Sequence, residues 1–170
     1  MSKESKPTTG AVGELSDLAA ELAVEALRNG QTLRYIAHGD SMRPFVMNGD
    51  RLTIQPIETA PQIGDVLLCA LPPFGVVHRV VAMDAVNQRY LIQGDASQIA
   101  DGWFERRDIL GKLVHIDRQG QSIPLLRGTP ALHATRLCRT LRRKRGGALI
   151  LKSLGRCWRL NEAIYGRIKA

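Results

Sequence analysis

The chain has 170 residues, enough for one domain with attachments and for a core that needs no disulfides. Its three cysteines (Cys69, Cys138 and Cys157) and its four histidines follow no disulfide or metal-ligand spacing, which predicts a reduced, intracellular protein without a structural metal or other cofactor. The net charge of +8 is uneven: residues 1–126 hold 12 Lys/Arg against 15 Asp/Glu, whereas residues 127–170 hold 12 Lys/Arg against one acid. This distribution predicts a near-neutral globular domain followed by a cationic attachment.

The first 30 residues are predicted to contain no targeting segment. Residues 1–10 are polar, lack the apolar stretch of a secretory signal and are predicted to be disordered. Residues 11–30 alternate apolar and acidic side chains at helical spacing, which predicts an amphipathic helix that packs on the domain or, alternatively, binds a partner. No apolar run of the chain reaches the roughly 18–20 residues of a membrane helix. We therefore expect a cytoplasmic protein, at most peripheral on the inner membrane face, without a signal peptide or transmembrane segment.

Residues 31–126 are predicted to form a β domain. Gly/Asp-rich turns separate short segments that alternate or are continuously apolar. The predicted strands cover residues 32–37, 51–56, 66–71, 76–83, 89–93, 109–116 and 122–125. Many short strands joined by tight turns indicate a compact, mainly antiparallel β body.

The pattern becomes helical and basic in residues 127–170, which are predicted to form a helical tail interrupted at Gly146-Gly147. Its second half places Trp158 and several aliphatic residues on one side and most Lys/Arg on the other. Such a face suits an anionic membrane surface, and residues 130–170 are the predicted membrane-contacting segment. The alternative is that these helices dock on the β body or on a partner, and nucleic acid ranks behind both as a partner.

The turn at residues 39–44, Gly-Asp-Ser-Met-Arg-Pro, follows the first predicted strand. Gly39 permits backbone angles that other residues avoid, and Pro44 fixes its own φ and restricts the residue before it. A stiff turn of this kind would display Ser41 at a strand end. Nucleophiles are displayed in this way, but so are the tips of many turns without catalytic function.

A serine nucleophile needs a base, which in serine peptidases is a neutral lysine or a histidine held by a carboxylate. No lysine lies between Lys6 and Lys112, so a lysine base would have to come from the end of the β segment or from the termini. His78, in contrast, lies inside an apolar strand, where a buried imidazole requires a hydrogen-bond partner. Asp95 and Asp101 lie in the loop after the next strand, and either could orient the ring.

Several short motifs across residues 35–117 resemble, in order and spacing, the type I signal peptidase superfamily. The motifs are Ser41-Met42-Arg43-Pro44, Gly49-Asp50, Gly64-Asp65-Val66, His78-Arg79-Val80, Gly94-Asp95 and Ile109-Leu110-Gly111-Lys112. The histidine in the His-Arg-Val motif resembles the archaeal and endoplasmic-reticulum branch, which uses His where the common bacterial enzymes have Lys.

This resemblance implies coiled antiparallel β-sheets and a cleft that binds an extended peptide or protein substrate as an added strand. It implies a serine endopeptidase with Ser41 as nucleophile, His78 as general base and Asp101 as third member of the triad. Asp95 would be a supporting turn residue and a weaker candidate for the third position. The Ser41 backbone N–H would donate to the oxyanion.

Two other functions remain open on the same fold. A self-cleaving repressor-type peptidase would use a Ser–Lys dyad, but no DNA-binding helix-turn-helix precedes the β domain and the strand lysine is absent. A non-catalytic peptide-binding module, anchored by the basic tail, is the other alternative.

Overall fold

The computed structural model of the protein describes residues 21–71 and 75–143. The predicted disordered start and the first part of the predicted N-terminal helix lie outside the described residues, as does the second tail helix. The element bounds are α1 (residues 21–28), β1 (Leu33–Ile36), β2 (Arg51–Gln55), β3 (Val66–Cys69), β4 (Val76–Asp84), β5 (Arg89–Gln93), β6 (Gly102–Glu105), a 3-10 turn (Arg106–Asp108), β7 (Ile109–Arg118), β8 (Gln121–Ile123) and α2 (Gly128–Arg143).

The eight strands form one antiparallel sheet with the spatial order β1-β2-β7-β3-β4-β5-β6, and β8 pairs with the end of β7. The mainly β, antiparallel fold with a short N-terminal helix and a C-terminal helix is therefore confirmed. β7 is the central strand because its ten residues pair with β2 on one side and β3 on the other. The segments 51–55 and 66–69, both distant in sequence from β7, are thereby held on either side of it.

One strand was not predicted from the sequence. β6 has only four residues, which is too short for a clear alternation of apolar and polar side chains. It forms because β5 supplies a partner, with Leu91 opposite Trp103 and Tyr90 opposite Phe104. The strand is thus a product of tertiary pairing rather than of local propensity.

Two hydrophobic clusters lie on the two faces of the sheet. Successive side chains of β3 point to opposite faces, so Val66 packs in the first cluster and Leu67 in the second. The first cluster is Leu27, Ala37, Met42, Val46, Leu52, Ile54, Val66, Leu113 and Ile116. The second is Leu67, Cys69, Val80, Tyr90, Ile92, Phe104 and Ile109. The first cluster includes residues on both sides of the Ser41 turn, which ties that turn to the core.

The helix α2 packs against the β body along one face. Ala131, Thr135 and Cys138 are buried and follow one another at spacings of four and three residues, whereas Arg136 and Leu137 face solvent. Among the described residues, no helix has both the length and the apolar character that crossing a membrane would require.

Candidate active site

The turn that carries Ser41 is closed at its base by backbone hydrogen bonds. The Ala37 N–H donates to the Asp50 carbonyl and the Gly49 N–H donates to the Ala37 carbonyl, both at 2.8 Å. Gly39 has φ +86°, a conformation that side chains disfavour. Within the turn, Met42 is buried in the first cluster while Ser41 is only half-buried. The core therefore anchors the residue after the serine and leaves the hydroxyl at the surface.

His78 bridges the serine and a carboxylate. Its Nε2 lies 2.7 Å from Ser41 Oγ, and its Nδ1 lies 2.6 Å from Asp101 Oδ2. A carboxylate accepts a hydrogen bond, so the proton is assigned to Nδ1 and Nε2 is left to accept the serine O–H. The three side chains form one hydrogen-bonded chain with the polarity of a nucleophile, a base and an orienting acid.

The members of this chain come from three separate parts of the fold. Ser41 follows β1, His78 lies in β4, and Asp101 immediately precedes β6. The side chain of His78 is 8% exposed and that of Asp101 is 18% exposed. The ring is thus shielded from bulk water on most sides, which strengthens its hydrogen bonds.

Asp95, the other candidate for the third position, does not contact His78 and forms a buried ion pair with Arg79. The Arg79 Nε donates to Asp95 Oδ1 at 2.8 Å and Nη2 donates to Oδ2 at 2.7 Å. Burial raises the pKa of Asp95, and the two hydrogen bonds from Arg79 oppose that effect. The third guanidinium nitrogen, Nη1, donates to the carbonyls of Gly64 and Leu126. Both carboxylate oxygens of Asp95 are thus bonded to Arg79, and Asp101 is the aspartate that is bonded to the His78 ring.

Gly94 is the point at which the loop after β5 meets the serine and the histidine. A Cβ at this position would lie 2.8 Å from the Ser41 carbonyl oxygen and 3.1 Å from His78 Nε2. The Ala96 N–H donates to the same Ser41 carbonyl at 2.7 Å. The absence of a side chain at residue 94 is thus what allows the loop to lie directly on the Ser41 turn.

A cleft of about 100 Å³ opens beside Ser41 and His78. Its walls come from β1 and the turn after it on one side and from β4 on the other. The lining residues include Tyr35, Ala37, His38, Met42, Val76 and Val77. Among the described residues, no protein acceptor is bonded to the backbone N–H of Ser41, which is one of the residues that line the cleft.

Neither Lys112 nor Cys69, the two other side chains that could supply a base or a nucleophile here, takes part in this arrangement. Lys112 Nζ is 2.7 Å from Asp65 Oδ2, so this lysine pairs with a carboxylate instead of approaching Ser41. Burial, followed by the nearby charges of Asp101 and Asp108, raises the pKa of the Cys69 thiol to about 12, which keeps it neutral and unreactive. In residues 21–71 and 75–143, no three His, Cys, Asp or Glu side chains cluster to hold a metal ion.

A comparison with protein-family models finds no match to this chain, and a comparison with curated proteins finds no significant match. Inference about function therefore rests on the geometry of Ser41, His78 and Asp101 and on the motifs that surround them.

Two features of the site could not be identified from the sequence motifs. The Gly94-Asp95 motif does not reveal that a side chain at residue 94 would collide with the Ser41 carbonyl and approach the His78 ring. Arg139 of α2 reaches the same loop and donates to the Gly94 and Asp95 carbonyls, both at 3.2 Å. The ion pair of Arg79 did leave a signal, because a charged residue between buried strand neighbours requires a buried partner.

Proposed function

We propose that the protein is a serine endopeptidase of the signal peptidase-like class, with a coiled β fold of the signal peptidase and repressor-peptidase type. The observation that carries the proposal is the continuous chain from Ser41 Oγ through His78 to Asp101, with both hydrogen bonds at 2.7 Å or shorter. The order of motifs across residues 35–117 supports the same class. The antiparallel sheet agrees with the fold that this class implies.

In the proposed reaction, Ser41 Oγ attacks the carbonyl carbon of the scissile peptide while His78 Nε2 takes the hydroxyl proton. Asp101 stabilises the imidazolium that forms, through the Nδ1–H bond. The Ser41 backbone N–H donates to the oxyanion. The intermediate then expels the amine, which receives the proton from Nε2, and an acyl-enzyme remains. A water molecule, deprotonated by His78, hydrolyses the ester and regenerates the serine.

Strand pairing around the cleft favours an extended peptide as substrate. β1 is an edge strand of the described sheet, with β2 as its partner on one side. On the other wall, the pairing of β4 with β5 begins only at Arg79, which leaves the backbone of Val76 and Val77 without a β5 partner. An extended peptide laid between these walls would gain main-chain hydrogen bonds while its scissile bond approaches Ser41.

The size of the cleft favours a small side chain beside the scissile bond. A cavity of about 150 Å³ accepts a molecule as large as benzene, and this cleft has about 100 Å³. Ala37, Met42, Val46 and Leu52 contribute apolar side chains to a wall that also includes the polar groups of Ser41 and two histidines. We infer that residues with small aliphatic side chains are cleaved more readily than aromatic or charged ones.

The test is covalent labelling with a fluorophosphonate probe, which reacts with an activated serine. The wild-type protein should be labelled, and Ser41→Ala and His78→Ala should not be. The chain contains a matched control, because Ser122 Oγ lies 3.5 Å from His115 Nδ1 at an exposed site. Ser122→Ala and His115→Ala should label like the wild type. If the wild type is not labelled, the proposal fails and the peptide-binding module becomes the better interpretation.

A self-cleaving peptidase with a Ser–Lys dyad gains no support from the site. Within residues 21–71 and 75–143, such a dyad would need Lys112 at Ser41, and Lys112 is paired with Asp65. Loss of labelling in His78→Ala with retention in Lys112→Ala would separate the two mechanisms.

A further inference from the structure

The helix α2 contacts the loop that completes the candidate active site. The Arg139 Nε donates to the Asp95 carbonyl and Nη2 donates to the Gly94 carbonyl, both at 3.2 Å. The same two residues carry the contacts described above, since Gly94 packs on Ser41 and His78 and Asp95 pairs with Arg79. One guanidinium thus holds the outer side of a loop whose inner side lies on the nucleophile and the base.

A second contact joins the chain just before α2 to β4. Arg79 Nη1 donates to the Leu126 carbonyl at 2.9 Å and to the Gly64 carbonyl at 2.8 Å. A Cβ on Gly64 would overlap the backbone of Gly128, the first residue of α2, so the two segments are in direct contact. Arg79 is the neighbour of His78, and α2 is therefore fastened near the active site at its beginning as well as through Arg139.

The contact of Arg139 is specific to one side of the helix. Ala131, Thr135 and Cys138 bury the inner face, and Arg139 is half-buried beside them. Burial lowers the pKa of Arg139, while the charge of Asp95 opposes that effect. A guanidinium loses hydration at such a position, and its two hydrogen bonds to carbonyls compensate for that loss. Arg136 of the same helix is exposed and makes no side-chain hydrogen bond within the described residues.

We propose that Arg139 is a positioning residue for the proposed reaction, holding the loop of residues 94–101 against Ser41 and His78 so that Asp101 keeps its bond to the ring. On this basis α2 is part of the catalytic structure, although it begins the basic segment of the chain. The inference rests on the proposed function for its catalytic consequence, but the loop contact can be tested without any activity.

The first measurement is amide hydrogen exchange in the full chain. The Ala96 N–H donates to the Ser41 carbonyl, so its protection reports how firmly the loop lies on the Ser41 turn. Arg139→Gln should accelerate exchange at Ala96 roughly 30-fold, because it removes two hydrogen bonds that contribute about 1 kcal/mol each. Arg136→Gln removes the same charge from the exposed face and should leave exchange at Ala96 unchanged.

The second measurement separates positioning from general stability. The rate of fluorophosphonate labelling at saturating probe should fall about tenfold in Arg139→Gln relative to Arg136→Gln, with the half-saturating probe concentration unchanged. Arg139→Lys retains a charge and one donor direction, and should recover part of the rate. Urea denaturation should show that all three variants are fully folded in the absence of urea, which excludes global unfolding as the cause.

The outcomes are distinguishable. Equal exchange at Ala96 in Arg139→Gln and Arg136→Gln would overturn the inference, as would accelerated exchange with an unchanged labelling rate. A fall in the labelling rate that is accounted for by an unfolded fraction in the absence of urea, without rescue by Arg139→Lys, would also overturn it. Failure of the wild type to label would overturn the proposed function, and exchange at Ala96 would still decide whether Arg139 holds the loop.

Discussion

His78 and Arg79 are neighbours on β4, yet each pairs with a different carboxylate of the loop that follows β5. Successive side chains of a strand point to opposite faces, so one loop must reach both sides of β4. Asp101 is hydrogen-bonded to His78, and Asp95 forms an ion pair with Arg79. The pairing with Asp101 orients the His78 ring beside Ser41, as the proposed reaction requires, whereas the pairing with Asp95 neutralises a charge that is completely buried.

At the level of single residues, the first prediction concerns Asp101→Asn. An asparagine cannot stabilise the imidazolium, and its amide group favours the tautomer with the proton on Nε2, where it blocks transfer from Ser41. We expect the labelling rate to fall by roughly 10³-fold or more, and the free energy of unfolding to change by less than about 1 kcal/mol because the side chain is partly exposed. Stopped labelling time courses and urea denaturation measure the two quantities. A rate within a factor of a few of the wild type would contradict the assignment of Asp101.

Asp95→Asn is the matched comparison and should affect stability instead. It leaves the Arg79 guanidinium buried without its counter-charge, a change that typically costs about 3–5 kcal/mol. The urea midpoint should therefore fall sharply. Protein that remains folded in Asp95→Asn should still label faster than Asp101→Asn. The reverse order of rates would exchange the roles of the two aspartates.

At the scale of elements, the loop of residues 94–101 joins parts of the fold that are distant in sequence. It lies on the Ser41 turn through Gly94 and Ala96, and its last residue contacts β4. Since β5 and β6 are antiparallel neighbours, the loop leaves and re-enters the sheet at one end. Its position is therefore fixed by strand pairing as well as by its own contacts.

The prediction at this scale is that Gly94→Ala disrupts the site. The added methyl group would meet the Ser41 backbone carbonyl at 2.8 Å, closer than a Cβ can approach, so the loop must move away from Ser41 and His78. We expect the labelling rate to fall by roughly 100-fold, because a displacement of about 1 Å at a catalytic group can cost that much. The measurement is the labelling rate at saturating probe.

Gly120→Ala provides the control for a glycine replacement. Gly120 lies in the turn between β7 and β8 with φ +83°, and nothing lies within 4 Å of a Cβ placed there. The substitution should cost about 1 kcal/mol of stability through backbone strain and leave the labelling rate unchanged. If Gly94→Ala labels as fast as Gly120→Ala, the loop does not depend on close contact with the Ser41 turn.

The whole molecule shows why some features could be predicted from the sequence and others could not. Seven of the strands could be predicted from the pattern of apolar residues and from the Gly/Asp turns between them, which are local properties of the sequence. β6 depends on β5, a pairing that the sequence of residues 102–105 does not encode alone. The contact between Ser41, His78 and Asp101 could be predicted because the motifs resemble those of a known superfamily in order and spacing. The distances between the three side chains, in contrast, depend on the assembled sheet.

The role of Arg139 illustrates the same limit. In the sequence it is one of many basic residues in the segment 127–170, and its spacing resembles that of residues that face solvent. Only the docking of α2 distinguishes it from Arg136, three positions earlier. Charge composition predicts the sign of the net charge of a segment, but tertiary packing decides which partner an individual side chain contacts.

The uneven charge of the whole chain leads to the last prediction. Residues 144–170, which follow α2 in the sequence, hold seven Lys/Arg against one acid. We expect the full chain to bind vesicles that contain anionic lipids and to bind neutral vesicles far more weakly. Three substitutions together, Lys152→Gln, Arg156→Gln and Arg159→Gln, should weaken binding to anionic vesicles roughly 100-fold, since each basic residue near such a surface contributes about 1 kcal/mol. A co-sedimentation assay at low and high salt measures the effect, and high salt should reduce wild-type binding.

The charge-matched control for that variant removes three exposed arginines from the β domain, as Arg34→Gln, Arg51→Gln and Arg107→Gln. This variant has the same net charge as the tail variant, so a difference between the two reports where the membrane contact lies and not the total charge. Equal weakening by both variants would show that attraction is spread over the whole molecule. Undiminished binding by the tail variant would contradict a membrane-contacting role for residues 144–170 and would favour docking of that segment on a protein partner.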